Sequence, residues 1–542
     1  MSERRPKVPA EPATVLLVVG TGGFTHAAPV LELGRILAKR GHRIEFATHR
    51  GQEKWVQSEY YRFVSRMHTM GEPMTAEQEA AHYVDMQQTD PRRDYRGYFL
   101  PKLTVDAFWT SDFAFLKDIT ARSRPDVIVA DFFVNAVRDI QHQTGIPVAM
   151  VWPQMPYGHA KVSYIPGVPG FQIDALSSEN ASLTTRLRAE LRPLRALPAI
   201  INYLRFVRNM RRAAGVNYSL SSVSRTPDHL ALVNSFWGLE TPKDLPPMIA
   251  AVGPILADEY PQLDGRLEDF LRPGRRVVYV SFGTHVLLQE EHITRFLDAF
   301  TVLLRDKLID GVIWVAGATQ RSFFPLGRSV HGADGQVTVR HILEHHDPAW
   351  HFTTFAPQRA ILDHPQTVLF VTHGGGSSVN EALFHGTPML CLGFFFDQPL
   401  NGLRIQEAGV GLAMDKADFS SSEVLEKCRT LLLDRDGQVS RNVRRMAHIA
   451  RVSARKKHYA ADLIEEVMYD RMFSSSPSET PLGSEDGRLQ CVRRSRPLHM
   501  QTADARMSAW RAQNWDLTFI GCATFAGVLG FGYHAYLWLR RR

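Results

Sequence analysis

Short runs of continuous apolar residues alternate along this chain with segments whose apolar positions recur every three or four residues. The first run, Val15–Val19, leads into a glycine-rich turn at Gly20–Gly23. Ala28–Arg40 then places Val30, Leu33, Ile36 and Leu37 on one helical face, Gly41 stops that helix, and Arg43–Thr48 reads as a second strand. Two short strands joined through an amphipathic helix make a βαβ unit, whose strands run parallel and are covered on both faces. The alternation continues with strand Asp126–Ala130, a helix around Asn135–Thr144 and strand Val148–Trp152, and Leu230–Asn234 reads as the closing strand of that sheet. From Pro246 to Pro273 the prolines 246, 247, 254, 261 and 273 interrupt the pattern, which predicts an interdomain linker. A second series follows, with strands at Val277–Ser281, Gly311–Val315, Phe352–Phe355, Val368–Thr372 and Pro388–Leu392 and helices continuing to about Met472. The expected architecture is α/β: two Rossmann-like domains, 1–256 and 257–473, facing each other across a cleft.

Several segments fall outside that scheme. Ser474–Gly487 is poor in apolar residues and rich in Ser, Pro, Gly and acid, which predicts a flexible linker within 474–514. Leu517–Leu539 carries no Asp, Glu, Lys or Arg and is long enough, at about 1.5 Å per residue, to cross ~30 Å of hydrocarbon. With Trp515, Tyr536 and Trp538 where interfacial aromatics belong, residues 515–542 are expected to form a transmembrane helix with a basic tail, anchored in the endoplasmic reticulum or a related endomembrane. Arg540–Arg542 on one side are nearly balanced by Arg506 and Arg511 on the other, which leaves the orientation open. The apolar run near the N-terminus is too short for a secretory signal and reads as a buried strand. Ala199–Arg212 interleaves Ile200, Ile201, Leu204, Phe206, Val207 and Met210 with Arg205, Arg208, Arg211 and Arg212. That basic amphipathic pattern suits an ordinary surface helix, a helix lying on a membrane or one beside an acceptor site. The triplets at Asn180 and Asn217 have the form of glycosylation sequons and matter only for a lumenal body.

The 542 residues are 44% hydrophobic and 22% charged, a composition that excludes a disordered tail protein, a collagen-like chain and a polytopic membrane protein. A net charge of +7 is too thin to require nucleic acid. Its arginines gather on the amphipathic helix and on both sides of the apolar C-terminal segment, which points toward a bilayer surface. Cys391, Cys428, Cys491 and Cys522 stand far apart with no CxxC pair, so isolated thiols are expected rather than a zinc ribbon or a disulfide scaffold.

Two glycine-rich turns follow strands and precede helices: Gly20–His26 and Thr372–Ser378. Backbone N–H groups at such helix starts suit an anion such as a diphosphate. A nicotinamide-dinucleotide reading of the first turn needs a third glycine where Thr25 stands and an acid at the end of the second strand, where Thr48 and His49 stand. In the second, Glu381 falls one helical turn beyond Ser377 and Ser378, within reach of ribose hydroxyls, and Asp397-Gln398 follows the next strand toward the same cleft. Phosphate turn, ribose acid and distal Asp-Gln together describe a nucleotide-sugar site. His341-Ile-Leu-Glu344-His345 fits an inverted zinc-protease pattern, but Asp347-Pro348 interrupts the helix it would need.

The segment FAPQRAILDHPQTVLFVTHGGGSSVNEALFHGTPMLCLGFFFDQPLNG, Phe355–Gly402, resembles the donor signature of the UDP-glycosyltransferases of the GT1 family, which have the two-domain GT-B fold. Matching stretches elsewhere are GFTHAAPVLELGRILAKRGHRIEFAT, PDVIVADFFVNAVRDIQHQTGIPVAMVW, LVNSFWGLE with VGPI, and VVYVSFGT, in the family's order. The resemblance implies an acceptor-binding first domain and a UDP-sugar-binding second domain. It puts Phe355 and Gln358 beside uracil and ribose, with Ala356 and Gly375 in the same donor site. It assigns Thr284, His373, Ser377 and Ser378 to the diphosphate, Glu381 to the ribose, and Asp397 with Gln398 to the sugar hydroxyls. It makes His26 the general base and Asp131 its orienting carboxylate, a dyad whose chemistry is sound: the imidazole takes a hydroxyl proton near neutral pH while the carboxylate fixes its tautomer. The plant-type pattern has Trp where Phe355 stands and HCGWNS in place of HGGGSS, so the resemblance speaks more to the fold than to the base. The implied reaction is inverting transfer of a hexose, glucose above others, from UDP to a hydroxyl, with no metal or other cofactor; the apolar C-terminal segment adds a lipophilic small molecule as acceptor and a membrane as partner, and the thin charge excess predicts no nucleic acid. A non-catalytic nucleotide-sugar-binding scaffold and an NADP-dependent oxidoreductase are the alternatives.

Overall fold

The computed structural model describes residues 11–474 and 497–542, apart from 91–93, 157, 160–161, 163, 165–175, 178, 219, 221–225 and 345–346. Most of the linker expected over 474–514, the Ser219 of the second sequon, and His345 of the zinc-protease pattern lie outside the described residues.

The first sheet is parallel throughout. Its strands are β1 (Thr14–Val19), β2 (Arg43–Thr48), β3 (Val64–Thr69), β4 (Val127–Asp131), β5 (Val148–Trp152), β6 (Leu230–Val233) and β7 (Ile249–Ala251), in the order β3-β2-β1-β4-β5-β6-β7. β1 is an interior strand, pairing Val15 with both Ile44 and Val127. Covered on both edges and both faces, Val15–Val19 is wholly buried, which is why its sequence does not alternate. Beyond β8 (Val277–Ser281) and β9 (Gly311–Val315), a hairpin of β10 (Ser329–Gly332) and β11 (Gly335–Thr338) stands apart. β12 (Trp350–Thr353), β13 (Thr367–Thr372), β14 (Met389–Gly393) and β15 (Gly411–Asp415) complete a second parallel sheet ordered β12-β9-β8-β13-β14-β15.

The differences from the sequence reading have local causes. β6 does not close the first sheet, because the three-residue edge strand β7 forms inside the proline-rich segment expected to be linker. β3 is an edge strand reading VSRMHT, without the apolar run that marks the buried strands. β12 ends at Thr353 rather than Phe355, since the Thr353 hydroxyl donates to the Phe355 carbonyl at 2.7 Å and closes a turn. The helix expected from Ala28 begins at Phe24, which places His26 in its first turn. The basic segment Ala199–Arg212 is the last part of a 31-residue helix, Leu183–Ala213.

Each sheet borrows a wall from the other half of the chain. Tyr83 and Met86, on helix Ala76–Gln88, pack in the core of the second sheet with Val280 and Phe296. In return, Ala460, Leu463, Ile464 and Val467 of helix Lys457–Phe473 pack against Val15, Leu17 and Val127 of the first. Buried Lys457 pins that return, its Nζ donating to Glu32 at 2.7 Å and to Asp258 at 2.6 Å. The last helix, Trp515–Arg540, buries none of its 26 residues, most of them apolar. By length and composition it can cross a membrane.

Candidate active site

In open parallel sheets ligands gather at the carboxyl ends of the strands where the strand order reverses. The first reversal lies between β1 and β4, the second between β8 and β13. The glycine-rich turns leave from β1 and β13, so the two sheets present them to one another. Ser377, in the second turn, donates to the Thr25 carbonyl of the first at 3.5 Å, and Asn380 Nδ2 donates to the Asn234 carbonyl at 2.8 Å.

On the first side, His26 Nδ1 lies 2.9 Å from Asp131 Oδ2. Asp131 ends β4, and its other oxygen accepts the Phe133 N–H at 3.0 Å, which fixes the carboxylate plane. The imidazole stacks on Phe133 with ring centres 4.7 Å apart and keeps 21% of its side chain exposed. Gly22, at φ +96°, is what permits this approach: a Cβ there would stand 2.5 Å from the His26 ring. Burial pulls the His26 pKa down, but the Asp131 carboxylate, by charge and hydrogen bond, and the Asp397 charge outweigh it and hold the imidazole above its ordinary 6.5.

The second side is largely closed on itself. Gln358 Nε2 donates to Glu381 Oε2 at 2.7 Å and to Ser378 Oγ at 3.2 Å, while Tyr279 OH donates to Gln358 Oε1 at 3.3 Å. Burial pushes the Glu381 carboxyl up against the lowering pull of Gln358 and Arg359. Helix Gly376–His385 begins at Gly375 with no side chain capping it, so its first N–H groups are left for a ligand. His373 packs against Gly375, where a Cβ would meet its Nε2 at 2.5 Å. Burial, with the nearby His285 charge, drives the His373 pKa down to about 4, which makes it a neutral N–H donor near pH 7 rather than a cation. Asp397, pushed up by burial, accepts from Asn401 Nδ2 at 2.8 Å, which also holds the Gly374 carbonyl. Gln398 is 5% exposed, and its side-chain oxygen accepts the Phe394 and Phe395 N–H groups at 3.0 and 3.2 Å.

A cavity of about 1200 Å³ runs between the domains. Thr284, Phe355, Ala356, Gln358, Ser377, Ser378 and Glu381 line it, with Phe355 75% exposed into the opening. His26, Asp131, His373, Gly375, Asp397 and Gln398 do not line this cavity, although Thr25, beside His26, does. The lining also holds residues that sequence reasoning passed over: Tyr279, Arg359, and the pair formed by His285 and Glu79 at 3.3 Å. His285 stacks on Tyr83 with ring centres 4.3 Å apart. Its place next to Thr284 was a usable signal, whereas Glu79 and Tyr83 come from a helix that only the fold brings to the second domain. Among the described residues no group of three or more His, Cys, Asp or Glu side chains is arranged to hold a metal ion.

The model for "UDP-glucoronosyl and UDP-glucosyl transferase" matches residues 220–452. UDP-glycosyltransferase FPY2 of Fusarium mangiferae is 38% identical over 94% of this chain and 95% of its own length. UDP-glycosyltransferase stmC of Aspergillus ustus is 40% identical over 95% of each. Among solved structures, the glycotransferase of kitacinnamycin superposes with a TM-score of 0.58 at 21% identity, covering 84% of this chain and 98% of that one. A Polygonum tinctorium UDP-glucosyltransferase capable of glucosylating indoxyl superposes with a TM-score of 0.56 at 18% identity, covering 84% and 100%. At those identities the structural likeness carries the fold, GT-B.

Proposed function

The chain belongs to the UDP-glycosyltransferases, and from that premise we propose that it moves glucose from UDP-glucose to a hydroxyl of a lipophilic small molecule at a membrane. The observation that carries the reading is the oriented His26–Asp131 pair, 2.9 Å apart, on a turn that touches the uncapped second turn through Ser377. His26 Nε2 takes the acceptor proton as the acceptor oxygen bonds to the anomeric carbon. The bond from that carbon to the diphosphate oxygen breaks, UDP departs, and the configuration inverts. Asp131 stabilises the imidazolium and holds its tautomer. The N–H groups of the Gly376–His385 helix start and the neutral His373 meet the charge growing on the diphosphate. Gln358 and Glu381, already bonded to each other, receive the ribose, and Thr284, Ser377 and Ser378 the phosphates. Phe355, flanked by Ala356, offers a ring face to the base.

Asp397 favours a neutral sugar, because its acceptor oxygens suit hydroxyl donors and a uronate would bring a second carboxylate close to it. Gln398 supports glucose through the family resemblance; its oxygen is committed to the Phe394 and Phe395 N–H groups, so its amide end is the part that would face a sugar. The lipophilic acceptor is supported by the rings around His26. Phe133 and Phe396 lie 5.9 Å apart, and Phe132 and Trp152 5.1 Å. It is supported too by the exposed apolar helix Trp515–Arg540, read as an anchor in the endoplasmic reticulum or a related endomembrane.

Incubating the full chain with UDP-glucose, UDP-glucuronate and other UDP-sugars in the presence of a lipid extract, followed by mass spectrometry, tests the reading. A hexose adduct formed from UDP-glucose is the expected outcome. A uronate adduct without a hexose adduct would overturn the sugar assignment, and binding of UDP-glucose with no product from any acceptor would favour a scaffold.

A further inference from the structure

Helix Leu183–Ala213 touches the body along one face, on which only Ala189 and Ala196 are buried. Tyr203 OH donates to Asp106 Oδ2 at 2.7 Å while its ring stacks on Phe99, and Arg211 Nη1 donates to the buried Asp139 at 2.9 Å. These contacts fix the roll of the helix. On the other side Leu183, Leu187, Leu191, Leu194, Ile201 and Leu204 are 38–78% exposed. At about 100° per residue these six fall within one outward sector roughly 140° wide, turned away from the packed face. Arg186, Arg188 and Arg195 edge the stripe, and Arg205, Arg208 and Arg212 take over the outward direction past Leu204. The helix holds eight arginines against the single acid Glu190, an excess equal to the +7 of the whole chain.

We infer that this helix is a second membrane contact, lying in the interface of an anionic phospholipid bilayer with its leucine stripe toward the acyl chains and its arginines on lipid phosphates. The inference rests on the anchor reading above, which brings the body within reach of a bilayer. Charge selects lipid over a second copy of the chain: two such stripes face to face would oppose arginine with arginine, whereas phosphates neutralise them. The position also connects lipid to chemistry. The helix packs on helix Arg96–Asp106, which packs on helix Ala76–Gln88, and Glu79, Ala80 and Tyr83 of the last line the interdomain cavity.

The test uses the full chain with Cys491 and Cys522 changed to Ser and a nitroxide attached at Leu194→Cys or, separately, at Leu529→Cys. Each is reconstituted in phosphatidylcholine vesicles with or without one fifth phosphatidylserine. With phosphatidylserine, the Leu194 label is expected to be severalfold more accessible to oxygen than to a water-soluble nickel chelate. That preference should shrink without phosphatidylserine and vanish in Arg205→Glu/Arg208→Glu/Arg212→Glu, which leaves the Leu529 label unchanged. A nickel-accessible label at Leu194 beside a protected one at Leu529 overturns the inference and spares the anchor, and nickel access at both sites overturns both. Spin–spin broadening at Leu194 that disappears on dilution with unlabelled chain reports a second copy and overturns the inference as well.

Discussion

His26 and His373 each sit at a glycine-rich turn on the carboxyl edge of a parallel sheet, beside a helix start that no side chain caps, His26 inside the first helical turn and His373 between the strand and the glycines. Their chemistry is opposite. His26 has a carboxylate at 2.9 Å that overcomes burial and holds its pKa above 6.5, whereas burial carries His373 to about 4 with the His285 charge pushing the same way. One environment makes a base that can keep the proton it takes. The other makes a neutral donor suited to an incoming anion. What separates the roles is the residue ending the neighbouring strand: β4, beside β1, ends in Asp131, while β8, beside β13, ends in Ser281.

The contrast can be broken at either histidine. His26→Ala is expected to lower kcat by about 10²–10⁴-fold with UDP affinity unchanged in calorimetry, since it removes proton transfer and leaves the donor half intact. Asp131→Asn should cost about 10²-fold and also move the pH profile. Neutral His26 is the active form, so kcat/KM falls as pH drops through its raised pKa. Without the Asp131 charge only the weaker pull of Asp397 opposes burial, and the acid limb should move to lower pH. A limb that stays in place in the variant would assign it to another group. Glu381→Gln is expected to weaken UDP binding about tenfold with the acid limb unmoved, as a hydrogen bond to a charged group is lost. His373→Gln replaces one neutral donor by another and should change kcat only a few-fold. A large loss together with a vanished limb near neutrality would show that His373 acts as a cation.

The strands that carry these turns were legible because buried parallel strands leave uninterrupted apolar runs. β1, β8 and β13 stood out for that reason, while β3 and β7, on the rim of the first sheet, did not. The candidate site residues were chosen from a motif, and the partners they have in the structure were not legible in it. Nothing in the spacing of Gln358, Ser378 and Glu381 says that the amide bridges the other two, or that Gln398 turns its oxygen to backbone. Glu79 reaches His285 because helix Ala76–Gln88 inserts Tyr83 and Met86 into the other domain's core, a long-range event that leaves no periodic trace.

That exchange of helices sets a rule for anyone recombining this enzyme with its relatives. A crossover at the proline-rich connection would take residues 457–473 from one parent and the sheet they cover from the other. The seam that matters is therefore the surface of Ala460, Leu463, Ile464 and Val467 on β1 and β4, together with Lys457 on Glu32 and Asp258. A chimera meant to change the acceptor should carry that final helix with the first domain, and helix Ala76–Gln88 should travel with its second-domain socket. Modularity in this protein follows packing rather than chain order.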